Sequence, residues 1–224
     1  MQLMNVNNIA RDFILLDLYR KNLIFYFTPS SIFLSAIASS IVINLYLNDK
    51  IILKDDKILV IDELSTRTYN KLMIDYIKEN EITSLRDLAS QIFLDNAFSF
   101  SLYELIIEEL SREDLIEIET KKQLILNKTT IKLINQDAVR DAYKKLFKTL
   151  FSGGEQQEFV ALALIIDTFF SVDDYFDESE HTTIKDAIEK LKDSELYQDI
   201  IVFKEVIDEF YQLTTQRSTN YFGL

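Results

Sequence analysis

The stretch Ile32 to Leu47 constrains this chain most, because its apolar residues lie all round a helical cylinder and not along one stripe. Ser35, Ser39, Ser40 and Asn44 interrupt it, and it falls short of the ~20 apolar residues that a bilayer span needs. It therefore reads as a buried central helix surrounded by others, capped by Ser30 or Ser31 after Pro29. The chain has 224 residues and is 48% hydrophobic, ample for that surrounding core. The expected fold is a single domain over residues 1–224, mainly α with short β-hairpins, its helices packed around the central one.

The flanking patterns supply the partners. Ile9, Phe13 and Leu16 recur at helical spacing after Asn7 or Asn8, which predicts an amphipathic helix over 9–19, and Leu23 to Phe27 reads as a strand. Lys50 to Ile61 alternates on both sides of Asp55-Asp56, a hairpin signal. Ser65 or Thr66 opens a helix with the stripe Tyr69, Leu72, Met73, Tyr76 and Ile77. Ser84 with Asp87 opens one over Leu85 to Phe93, and Ser101 with Glu104 opens a third that ends near Arg112. Leu115 to Glu119 and Leu124 to Asn127 read as strands around Thr120-Lys121-Lys122, with a further strand at Thr130 to Ile134. Gln136 to Leu150 is helical with Gly153-Gly154 as its stop, and Glu155 to Phe170 is another apolar-rich helix. Asp173 to Glu180 reads as an acidic loop. Leu196, Ile200, Phe203, Ile207 and Phe210 lay out a long final helix.

Composition excludes several chemistries. With no cysteine there is no disulfide framework, thiolate metal site or cysteine nucleophile, and His181 is the one histidine. Three glycines leave neither a G-x-G-x-x-G nor a G-x-x-x-x-G-K phosphate loop. The net charge of −13 argues against nucleic acid. Ser84 to Ile134 has the helix, helix, wing order of a winged helix, but its second helix carries Glu104, Glu108 and Glu109, which repel phosphate. His181 beside Asp177, Glu178 and Glu180 lacks EF-hand spacing and reads as a solvated loop histidine. Asp167 lies in an apolar run and is best explained by its place on a helix face, while Glu108 and Glu109 diverge too far for an acid–base dyad. No enzyme, metal or cofactor is expected.

The charge is unevenly distributed. Val172 to Leu224 holds 13 acidic and five basic residues, whereas Lys121 to Lys148 holds eight basic and two acidic ones. Within that basic segment, Arg140, Lys144 and Lys148 are four apart and share a helix face, and Lys121 and Lys122 fall at the expected hairpin tip. These five are the candidate contacts to an anionic surface. The apolar run Leu124, Ile125 and Leu126 is the candidate edge for self-association. The opening residues lack a positively charged n-region, and Asp12 and Asp17 break the apolar run after them, so no secretion signal is expected.

The run Asp12-Phe-Ile-Leu-Leu-Asp-Leu18, the helix end Ile41-Val-Ile-Asn-Leu-Tyr-Leu-Asn-Asp-Lys-Ile51 and the hairpin after it resemble the Golgi phosphoprotein 3-like family. Glu109-Leu-Ser-Arg-Glu-Asp-Leu115 and Leu124-Ile-Leu-Asn-Lys-Thr-Thr-Ile-Lys-Leu-Ile134 continue the likeness, which spans about residues 9–213. The resemblance implies a mainly helical domain with a protruding hairpin used for self-association and membrane contact. It also implies a cytosolic, membrane-peripheral adaptor that binds phosphatidylinositol 4-phosphate and retains glycosyltransferases. The chain has no basic N-terminal extension, which looks more like a bacterial member. It departs from the family at the lipid pocket. Aligned on Ile41 to Ile51, the pocket tryptophan falls at about Pro29 and the first arginine at Ala38, and the other two arginines fall among Leu102 to Leu105. Without those cations, head-group specificity is not expected. The partners expected are therefore an anionic membrane surface or protein tails, with a homo-oligomer through the hairpin. A protein-interaction module using the hairpin or the acidic C-terminal region, without lipid, is the alternative.

Overall fold

The computed structural model describes residues 8–20, 24–26, 29–64, 67–121, 128–152, 156–192 and 198–220. Its organising element is the helix α2 (Ser31–Leu47), which follows α1 (Ile9–Arg20) and the short strand β1 (Ile24–Tyr26). Ser30 caps α2 by accepting a hydrogen bond from the Phe33 N–H at 3.2 Å. Ile37, Ala38, Ile41, Val42, Ile43 and Leu45 have no solvent exposure, so the helix is enclosed on all sides. Its buried serines are satisfied within the helix, since Ser39 and Ser40 both donate to the Ala36 carbonyl, at 2.9 and 2.6 Å. Asn44 is buried without a hydrogen-bond partner for either side-chain atom, a local cost in an otherwise apolar setting.

The remaining elements wrap this axis. β2 (Ile51–Lys54) and β3 (Lys57–Val60) form a hairpin whose turn residues Asp55 and Asp56 both have positive φ, 52° and 61°. α3 (Thr68–Glu79), α4 (Leu85–Leu94) and α5 (Asn96–Arg112) follow. Ser84 caps α4 through the Asp87 N–H at 3.0 Å, as its spacing predicts. α5 starts earlier than the Ser101–Glu104 signal predicts. Asp95 caps it through the Phe98 N–H at 2.9 Å, and Ser101 lies inside the helix bonded to the Ala97 carbonyl. Asp95 closes α4 and opens α5, so a single residue joins the two.

β4 (Ile116–Lys121) and β5 (Lys128–Leu133) form the second hairpin, and β1 pairs with the other edge of β5 to give the order β1-β5-β4. This hairpin differs from its expected boundaries. Thr120 and Lys121 are strand residues paired with Thr129 and Lys128, not a turn, and Thr130 to Leu133 belongs to the partner strand itself, with Ile134 just past its end. Pairing Ile116 with Leu133 and Ile118 with Ile131 turns Ile116, Ile131 and Leu133 into the core, and this alternation selects the register.

α6 (Gln136–Ser152), α7 (Gln157–Phe169), a 3₁₀ turn at Val172–Asp174, α8 (His181–Lys192) and α9 (Gln198–Asn220) complete the chain. α2 packs against α9, α7, α1 and α5, and the buried apolar side chains form one cluster. The acidic-loop reading stops short of α8, whose stripe Ile184, Ala187, Ile188 and Leu191 faces inward. Among the described residues no helix is long and apolar enough to cross a membrane. The expected cap at Ser65 or Thr66, the strand at Leu124 to Asn127, the stop at Gly153-Gly154 and the contribution of Leu196 lie outside the described residues.

Candidate functional site

Amphipathicity orients α6 and so fixes what it displays. Val139, Ala142, Leu146 and Leu150 are buried, which leaves Arg140, Lys144 and Lys148 exposed in a row along the outer face. The sequence spacing is thus realised as one face. Arg140 contacts Asp137 at 3.4 Å, an exposed pair that holds it weakly. Lys145, on the flank of the row, is bonded to Asp141 at 2.7 Å. The hairpin half of the expected contact is less complete. Lys121 ends β4 opposite Lys128, and Lys122, Leu124, Ile125 and Leu126 lie outside the described residues.

The positions that the resemblance aligns with a lipid pocket are mostly buried. Ala38 is fully buried in the middle of α2, Leu102 and Tyr103 are buried in α5, and only Glu104 of the Leu102–Leu105 stretch is exposed. Pro29 is half-buried ahead of the α2 cap.

A feature that the sequence does not announce adjoins the basic row. Arg140 and Lys144 border a recess of about 280 Å³ whose other side is the connection between α7 and α8, with Asp177 and Glu180. Tyr19, Val139, Tyr143 and Tyr175 complete its lining. The tyrosines are held from behind. Tyr143 donates its hydroxyl to Glu180 at 3.0 Å and packs against Phe147 and Phe176, with ring centroids 6.1 and 5.6 Å away. Tyr175 donates to buried Asp17 at 3.2 Å. Asp17 is also bonded to Arg20 at 2.9 Å, and Arg20 lies over the Tyr175 ring at 4.7 Å and reaches Asp174 at 3.1 Å. Burial, and next the facing carboxylate, hold both hydroxyls far above the usual phenol range, so they remain donors.

His181 is not a solvated loop residue. It opens α8, its Nε2 lies 2.7 Å from the Phe176 carbonyl, and its Nδ1 lies 3.1 Å from Asp173. The ring therefore lies between two oxygen atoms. Lys185 also binds Asp173, at 2.7 Å, and this hydrogen bond is the main cause that holds the Asp173 carboxyl below the usual range. These contacts give His181 a structural duty, fastening the start of α8 to the 3₁₀ turn. Asp167 is half-buried in the last turn of α7 and is partnered. Glu109 pairs with Arg67, while Glu108 pairs with Arg112 at 3.8 Å, so the two point to different neighbours. Among the described residues no group of three or more histidine or carboxylate side chains is placed to hold a metal ion.

Sequence reasoning found the basic row and the acidic segment separately and missed their juxtaposition and the three tyrosines. Neither periodicity nor charge counting could supply it, because α1, α6 and the α7–α8 connection are brought together only by packing. Comparison with known proteins assigns nothing further: no family model and no curated protein matches the chain.

Proposed function

We propose that this is a non-enzymatic adaptor of the Golgi phosphoprotein 3-like kind that associates peripherally with anionic membrane surfaces through the outer face of α6, without a head-group-specific pocket. The observation that carries this reading is the exposed row Arg140, Lys144 and Lys148 on a helix whose opposite face is core. Cations near an anionic leaflet contribute up to about 1 kcal/mol each, so the row gives at most roughly a hundredfold enrichment at low salt, less where Arg140 stays with Asp137 and Lys148 with its own partner. The net charge of −13 opposes indiscriminate adhesion, which makes orientation decisive: the basic face must lead.

Sedimentation with vesicles of neutral phosphatidylcholine, with and without phosphatidylserine, tests it. The chain is expected to co-sediment with the anionic vesicles alone, to be released by salt, and to stay in the supernatant when Arg140→Glu, Lys144→Glu and Lys148→Glu are combined. Equal recovery in all conditions contradicts the reading.

A second reading, a protein-interaction module, is favoured by a different observation. Asp177 and Glu180 stand beside Arg140 and Lys144, so this end of the face carries both signs of charge and suits a protein tail.

A further inference from the structure

The recess beside α6 has an arrangement that an open basic face does not require. Two cations border it from α6 and two carboxylates from the α7–α8 connection, yet among the described residues no ion pair closes across it. Glu180 is occupied by the Tyr143 hydroxyl, and Arg140 leans back on Asp137. Among the described residues, Lys144 and Asp177 form no ion pair with each other. Flexible side chains of opposite charge that border one small concavity without meeting offer complementary charges to a ligand that carries both. The rest of the lining is apolar and aromatic. Tyr19 is about half exposed and Tyr143 half-buried with its hydroxyl turned toward Glu180, which leaves ring surface for contact, while Arg20 covers one face of Tyr175. The same three tyrosines also border a second, smaller apolar void with Leu146, Ile166 and Phe176.

We infer that the recess binds a small amphoteric molecule of the α-amino acid class with an aromatic or large apolar side chain. The carboxylate faces Arg140 and Lys144, the ammonium faces Asp177 and Glu180, and the side chain lies against the tyrosines. The volume of about 280 Å³ is at the small end of ligand sites, which suits a single residue better than a folded partner. With about a dozen heavy atoms and solvent-exposed charges, binding in the millimolar range is expected. The hydrogen bonds behind Tyr143 and Tyr175 hold these rings in place before the ligand arrives.

The test is titration of the full chain with L-phenylalanine, followed by amide chemical shifts. N-acetyl-L-phenylalanine, which lacks the ammonium, and L-phenylalaninamide, which lacks the carboxylate, are titrated in parallel. Saturable shifts in α6 and residues 175–180 are expected with L-phenylalanine, at least tenfold weaker with either blocked compound and weaker with L-alanine. Lys144→Glu and Asp177→Lys, both at exposed positions, should each weaken binding several-fold while leaving the remaining spectrum unchanged. No saturation at tens of millimolar, equal binding of the blocked compounds, or binding indifferent to both substitutions overturns the inference. This inference does not depend on the membrane reading. Asp177→Lys tests the recess and adds positive charge to the face, so vesicle binding that persists while phenylalanine binding fails separates the two.

Discussion

The surroundings of α2 and the flank formed by α6 and α8 are both helical, but different forces determine them. Around α2 each side chain is fixed by exclusion of water, and the outcome is insensitive to the neighbours' exact identity provided that volume is kept. On the α6–α8 flank the inward stripes do the same work. The outward residues are decided instead by charge and by hydrogen bonds that cross between elements, such as Tyr143 to Glu180 and Tyr175 to Asp17. Stability is concentrated in the first region and chemical individuality in the second.

Substitutions in the two regions should therefore differ sharply. Ile41→Ala, at a position with no exposure, is expected to destabilise the fold by about 2–5 kcal/mol in urea unfolding, whereas Lys144→Ala should change stability by less than about 0.5 kcal/mol. Comparable losses from both would erase the contrast. Asp17→Ala removes the acceptor shared by Arg20 and Tyr175 and should cost about 3 kcal/mol, with Asp17→Asn recovering part of it.

A half-buried carboxylate gives the contrast a pH axis. Asp12 is pushed up to about 6, chiefly by burial, with Asp141 and Glu158 adding to the rise and Arg11 and Lys145 opposing it. The native state thus holds this proton more tightly than the unfolded chain, whose value is near 3.8. Its contribution is fully present below that lower value and is lost as pH rises through about 6. The loss amounts to at most about 3 kcal/mol. Asp12→Asn should remove this component, so the difference in unfolding free energy between variant and parent should grow from about pH 4 to pH 7 in favour of the variant. A pH-independent difference contradicts it. The smallest effect is in the first hairpin: Asp55→Gly relieves a left-handed conformation and should stabilise by about 0.5–1 kcal/mol in thermal unfolding.

Legibility in the sequence follows the same division. The enclosed helix, its Ser30 cap, the Asp55-Asp56 hairpin and the Ser84 cap can all be read because each depends on residues within a few positions of one another. The start of α5 was displaced because Asp95 competes as a cap with Ser101, and local signals do not rank two plausible oxygens. The second hairpin was displaced because its register depends on which isoleucines reach the core. α8 carried a readable stripe hidden behind an acidic approach. Of the candidate site, the spacing of Arg140, Lys144 and Lys148 was legible. The recess was not, since Tyr19, Tyr143, Tyr175 and Glu180 come from three separate parts of the chain and meet only in the folded state.

The central claim is that the outer face of α6 presents its basic row to an anionic surface. Its most direct test is the fraction of full chain bound to phosphatidylserine-containing vesicles, compared with the combined Arg140→Glu, Lys144→Glu and Lys148→Glu variant at matched low salt. Binding by the parent and near-background binding by a variant of unchanged circular dichroism is the expected result, and equal binding by the two, or none by either, contradicts the claim.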